Sequence, residues 1–256
     1  MRFSPIPALL PLVLLAACSS QNAPPPAAAA PAGKHVDSAT AGGVAGKVVF
    51  SGKPPTQPAP KMGADPACVV GETPNPKGDA ILVDAKGDVQ NVFVYVKDGL
   101  DASYTFDVPT APVVMEQKGC RYLPRVFGVR AGQPIEIVND DATIHNVHAL
   151  PKVNQEFNKG QPVQGGRMTH TFTVPETMVR FKCDVHGWMT AYVGVMAHPF
   201  FAVTGSDGSF AIKGLPAGTY TIEAWHEQFG SRTETVTISA SQTQTVSFTF
   251  AAPGQP

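Results

Sequence analysis

The chain has 256 residues, enough for two small domains once export and tethering segments are set aside. Only 15% of the residues are charged and the formal net charge is -1, with no basic block, so the electrostatic footprint of a nucleic-acid binder is missing.

Taken in chain order, the first element is an export signal: Arg2, an apolar stretch from Ile6 to Leu15, then Leu15-Ala16-Ala17-Cys18. The apolar run is too short to cross a bilayer, which favours a secretory signal over a membrane span. It resembles the bacterial lipoprotein lipobox. That resemblance implies a signal peptide over residues 1–17 and lipid on Cys18, and Ser19 in the next position implies the outer membrane. Cleavage after Ala17 as an ordinary signal is the alternative. Residues 18–43 are Ala, Pro and Gly with almost no large apolar side chain, so they are read as a disordered tether.

Beyond the tether the chain is a succession of short alternating runs bounded by Gly, Pro, Asn and Asp, and the fold is read as all-β. Strands are predicted at Val44 to Phe50, Ala80 to Val83, Val89 to Val96, Val113 to Gln117, Val126 to Arg130, Pro134 to Val138 and His170 to Val174. Further strands follow at Val179 to Cys183, Ala191 to Val195, Phe200 to Val203, Ser209 to Lys213, Thr219 to Trp225, Glu234 to Ser239 and Thr245 to Phe250. In the last of these Val246, Phe248 and Phe250 alternate with Ser247 and Thr249, the pattern of a strand with one solvated face. Asp207-Gly208 supplies a tight hairpin.

Two sandwiches can be built from these strands. The run Thr204-Gly205-Ser206-Asp207-Gly208-Ser209-Phe210, followed by Leu215-Pro216-Ala217-Gly218-Thr219-Tyr220, resembles a carboxypeptidase regulatory-like (transthyretin-like, prealbumin-like) domain, placed over residues 198–252. Members of that family begin with a glycine-rich strand and a Gly-x-Pro turn. Here that segment is Gly46 to Pro54, far upstream, so residues 44–111 are expected to complete the C-terminal sandwich around an inserted unit at 112–197.

The inserted unit carries the chemistry. Val179-Arg180-Phe181-Lys182-Cys183 alternates so that Cys183 ends a strand facing the core. Asp184-Val185-His186-Gly187-Trp188-Met189 then gives Cys-x-x-His-x-x-Met, a loop short enough to bring thiolate, imidazole and thioether to one point. About forty residues upstream a strand runs into Asn139-Asp140-Asp141-Ala142-Thr143-Ile144-His145-Asn146-Val147. These features resemble the cupredoxins, the Greek-key β-sandwiches that carry type 1 (blue) copper, with the compact ligand loop of amicyanin and pseudoazurin. By that resemblance His145, Cys183 and His186 form a trigonal copper set, Met189 is the weak axial ligand, and Asn146 braces the two ligand loops beside the sulfur. The donor chemistry agrees, since a soft set with one thiolate and one thioether favours copper over zinc or magnesium.

With Cys18 lipidated, three cysteines remain in an oxidising compartment. Cys68 and Cys120 sit in polar, loop-like surroundings and are read as a disulfide, with free thiols or a second metal site as alternatives. Cys183 is then the odd one, and copper would hold it as thiolate. His148 would face away from His145 on a strand and is the substitute ligand if His145 is not one. His198 and Trp225-His226-Glu227 are read as packing, and Trp188 either borders the copper or caps the core.

The resulting expectation is a one-electron carrier serving an exported redox partner, its electron passing through His186 near the surface, and not an enzyme. Copper oxidases and nitrite reductases need further His-x-His pairs and a binuclear centre needs a second cysteine in the loop, and the sequence has neither. Copper storage or delivery is the second reading. A structural or carbohydrate-binding β-sandwich on the cell surface is the third.

Overall fold

The computed structural model describes residue 1, residues 33–69 and residues 77–252; the signal stretch and Cys18 lie outside them. Among the described residues no helix is long and apolar enough to cross a membrane. The helical pieces are a 3-10 turn, Met62–Ala64, and one helical turn, α1 (Pro66–Val69).

The strands in chain order are β1 (Gly42–Ser51), β2 (Phe93–Asp98), β3 (Val113–Gln117), β4 (Tyr122–Leu123), β5 (Val126–Arg130), β6 (Pro134–Asn139), β7 (His145–Leu150) and β8 (Phe157–Gln161). They continue as β9 (Gly166–Thr171), β10 (Glu176–Lys182), β11 (Thr190–Met196), β12 (Phe201–Val203), β13 (Ser209–Leu215), β14 (Gly218–His226), β15 (Gly230–Ile238) and β16 (Thr243–Ala251).

Four sheets result: β13-β1-β16, β12-β2-β14-β15, β5-β11-β10-β7-β8 and β4-β3-β6-β9. The strands before residue 100 therefore share sheets with those after residue 200, Phe93 pairing with Trp225 and Tyr95 with Phe201. One core gathers Val44, Val48, Val94, Ile222, Phe248 and Phe250 between the first two sheets. A second gathers Met115, Ile135, Phe172, Phe181 and Val193 between the other two. The chain is thus two β-sandwiches.

The residues of β16 behave as their alternation requires, with Val246, Phe248 and Phe250 buried and Ser247 and Thr249 exposed. Other segments differ from expectation. Ala80 to Val83 makes only an isolated bridge, Val83 to Val89. The strand expected at 170–174 lies at Gly166–Thr171, because β6 pairs along it from Thr171 back to Gly166, opposite Pro134 to Asn139. Strands β7 and β8 show no period-2 apolar pattern: β7 buries polar His145 and Asn146, and β8 is an edge whose single buried residue is Gln161.

Where the sandwiches meet, Phe93, Tyr95, Val126 and Met196 form a small cluster with Tyr192, Phe201 and Trp225 around it. Gly128 and Gly194 are register partners across β5 and β11. A β-carbon at Gly194 would lie 2.3 Å from the Phe93 ring, and one at Gly128 would lie 2.4 Å from that of Phe201. Two flat backbone positions thus admit the aromatic rings of the neighbouring sandwich. The tempting Trp225-His226-Glu227 triplet is spent on packing: Trp225 lies 5.0 Å from Tyr192, His226 stacks on Phe229, and Glu227 pairs with Arg125. His198 hydrogen-bonds the carbonyl of Val96 and accepts from the N–H of Phe200, so it too is structural.

Candidate metal centre

Strand β10 carries Val179 and Phe181 into the core with Arg180 exposed, and Cys183 follows at 2% exposure. The loop after it closes on itself. The N–H of His186 donates to Cys183 Sγ (3.3 Å), that of Met189 to the His186 carbonyl (2.9 Å), and that of Cys183 to the Met189 carbonyl (3.2 Å). These bonds turn Cys183, His186 and Met189 towards one interior, and Met189 is buried in the same core as Cys183. On the facing loop Asn139 accepts from the Asp141 N–H and donates to the carbonyl of Thr143, a tight turn that delivers fully buried His145 at the start of β7.

Nδ1 of His145 lies 2.9 Å from Nδ1 of His186, and Nδ1 of His186 lies 3.9 Å from Cys183 Sγ. One ligand atom from each of the three residues falls within 4.8 Å of the others. Both imidazoles are oriented from behind. His145 Nε2 meets Asp141 Oδ2 at 2.8 Å, and Asp141 is itself held by the N–H groups of Gly119 and Cys120. His186 Nε2 meets Asp65 Oδ2 at 3.1 Å, and the Thr143 hydroxyl and Ala67 N–H hold Asp65. A carboxylate on the outer nitrogen fixes the tautomer that leaves the inner nitrogen's lone pair free, the usual arrangement behind a metal-ligating histidine.

Electrostatics favour the thiolate. Burial raises the Cys183 thiol, but the His145 side chain and the backbone N–H groups around the sulfur outweigh it and bring it below its ordinary value. Burial alone would lower His145, yet Asp141 and Cys183 raise it to about 9. His186 is lowered, first by burial and then by the charge of His145, against the pull of Asp65. A soft cation bound between Cys183 and His145 would compete with protons on both. Two imidazole nitrogens, a thiolate and a buried thioether fit copper.

Asn146 spans the two loops. Its Oδ1 accepts from the Asp184 N–H (2.7 Å) and lies 3.2 Å from Cys183 Sγ, its side-chain NH2 donates to Asn158 (2.7 Å), and its main-chain carbonyl accepts from the buried Tyr122 hydroxyl (2.5 Å). His148, the possible substitute for His145, points the other way, bonding Asp184 and Glu156. Strand parity separates the two histidines. His170 stacks on Phe157 at 3.9 Å and His35 is exposed, so neither approaches the centre.

Cys68 and Cys120 form a disulfide, as read from the sequence, but its place is new: Cys68 Sγ lies 3.7 Å from His186 Nε2. His186, expected near the surface, is 3% exposed. The 62–68 segment covers it, with Met62 and Cys68 buried in the same core as Cys183. Trp188 borders the site, its ring 5.1 Å from that of His186 and its indole N–H donating to the Cys120 carbonyl (3.0 Å). Asp65 and Asp141 were not singled out in the sequence. Asp141, four residues before His145, carried a local signal, whereas Asp65 lies 121 residues from His186 and carried none.

A family model of the carboxypeptidase regulatory-like domain matches residues 191–251. That domain is present in the C-terminal part. The match begins within β11, which pairs with β10 and β5 of the sandwich that holds Cys183. No curated protein matches the chain. Similar solved structures include a purple cupredoxin from Nitrosopumilus maritimus, 20% identical over 33% of this chain and 99% of that one, with a TM-score of 0.29. A methionine-to-alanine mutant of amicyanin in its Cu(I) form is 20% identical over 40% of this chain and 98% of its own, with a TM-score of 0.31. A copper-containing nitrite reductase from Thermus scotoductus is 21% identical with a TM-score of 0.32; the likeness covers 39% of this chain and 25% of that one.

Proposed function

We propose that the chain binds one copper ion through His145, Cys183 and His186, with Met189 as the weak fourth donor, and that it serves one-electron transfer between exported proteins while tethered by lipid on Cys18. The observation that carries the reading is the convergence of two imidazoles on a buried cysteine sulfur, each ring held from behind by a carboxylate. Copper bound there supplies one electron reversibly. The chain's own part is rigidity. Cys183 and His145 sit at the ends of paired strands, the loop is closed by its own backbone hydrogen bonds, and Asn146 ties the two loops together. Ligands that move little between the two copper states keep the cost of reorganisation low. Half-buried Trp188 and the disulfide shield the His186 side from water.

One observation favours a second reading, copper holding for delivery: His186 is covered where a partner would meet it. Stoichiometric Cu(II) loading separates the two. Electron transfer requires an intense blue absorption that ascorbate bleaches and reoxidation restores. A colourless complex that does not cycle would overturn it in favour of holding.

A further inference from the structure

The geometry points to a second soft-metal site, made by Cys68, Cys120 and Nε2 of His186 while the two cysteines are thiols, which takes Cu(I) and is closed when they join as the disulfide. In the disulfide form one ligand atom from each of the three residues lies within 4.8 Å of the others, the two sulfurs being bonded to each other. Their residues are 1%, 0% and 3% exposed. The His186 ring therefore stands between two sulfur-lined pockets. Its Nδ1 edge faces Cys183 and His145, and its Nε2 edge faces Cys68 and Asp65.

Cysteines leave synthesis as thiols, so the dithiol state precedes the disulfide and needs no reductant. Two thiolates and one imidazole form a soft, low-coordinate set of the kind that selects Cu(I). Contacts other than the S–S bond also hold the three donors. Cys120 is fixed by its N–H to Asp141 and its carbonyl to Trp188, and the Cys68 turn by the bond from Thr143 to Asp65 and by buried Met62. Binding is a substitution without redox change: Cu(I) joins the two sulfurs, the thiols release two protons, and the His186 proton passes from Nε2 to Nδ1, so that Nε2 leaves Asp65 and binds the metal. Closure is thiol–disulfide exchange with an exported protein disulfide. One cysteine thiolate attacks it, the second displaces the mixed disulfide, and the two electrons leave on the exchanged pair as two thiols. Copper stays Cu(I), loses both sulfur donors, and has the inner pocket one ring's width away.

The test uses the full chain carrying Cys183→Ser, His145→Gln and Met189→Leu, which removes the inner donors other than His186, so its outcome is separate from that of the blue-copper reading. Reduced with a phosphine and given Cu(I) buffered by bicinchoninate, it should take up about one equivalent. Peptide mass spectrometry should then show Cys68 and Cys120 protected from iodoacetamide. The disulfide form should take up none, and adding His186→Gln should weaken retention by roughly 100-fold. Uptake by the disulfide form, no uptake by the dithiol form, or protection unchanged by His186→Gln would each overturn the proposal. The last of these would show two unconstrained thiols rather than a folded site.

Discussion

Replacing Arg125 with Met is expected to cost about 3–5 kcal/mol, because it leaves the buried Glu227 carboxylate without its charged partner, with only the Tyr192 hydroxyl beside it. Arg125 precedes β5 and its side chain is 8% exposed. Its Nε and Nη2 donate to the two Glu227 oxygens at 2.5 and 2.9 Å, and Nη1 donates to Asp79. Glu227, in the turn after β14, is 5% exposed at its side chain, so this bidentate pair joins one sandwich to the other away from solvent. Asp79 suffers less from the loss, being 29% exposed and also bonded to Arg121. Urea unfolding of the single variant should show the full cost, and Arg125→Met with Glu227→Gln should recover most of it. A single variant within about 1 kcal/mol of wild type would mean that water reaches Glu227.

Acid should weaken the same region through His226. It is 1% exposed, stacks on Phe229 at 4.3 Å, and its Nδ1 accepts the Gln228 N–H at 3.2 Å. Burial first, and then the Arg125 charge, push its pKa from 6.5 down to about 4. Between those values the unfolded chain carries the proton and the folded chain does not. The contribution of neutral His226 is therefore complete above the unfolded value and is lost as pH falls towards the folded one. From about pH 7 to about pH 5 the loss is about 2 kcal/mol, at about 1.4 kcal/mol per unit shift. Unfolding midpoints of wild type and His226→Gln at the two pH values should show the variant missing that part of the acid sensitivity. Equal acid losses in both would place the titration elsewhere.

The contrast between the two sides of the metal centre shows what local sequence can reveal. Cys183, His186 and Met189 lie on one loop after an alternating strand, so the meeting of Cys183 and His186 follows from strand parity and loop length. His145 was legible from the strand that leads into its loop, although β7 itself was not. A strand whose buried positions include His145 and Asn146 lacks the apolar alternation that identifies strands. The cover over His186 was not legible at all. A helical turn of four residues has no periodicity, and the contact from Asp65 joins distant parts of the chain through tertiary packing. The Gly128 and Gly194 pair likewise reads as two weak points in strands until the rings of Phe201 and Phe93 are seen resting on them. The long-range disulfide was recovered by counting cysteines, but counting carries no distance to His186.

The most direct test of the copper centre is X-ray absorption at the copper edge on the disulfide-bonded full chain loaded with one Cu(II). The expected spectrum contains two nitrogen neighbours and one short sulfur neighbour, and the sulfur contribution disappears in Cys183→Ser. A shell of nitrogen and oxygen alone in the wild-type chain, or one left unchanged by Cys183→Ser, would contradict the assignment.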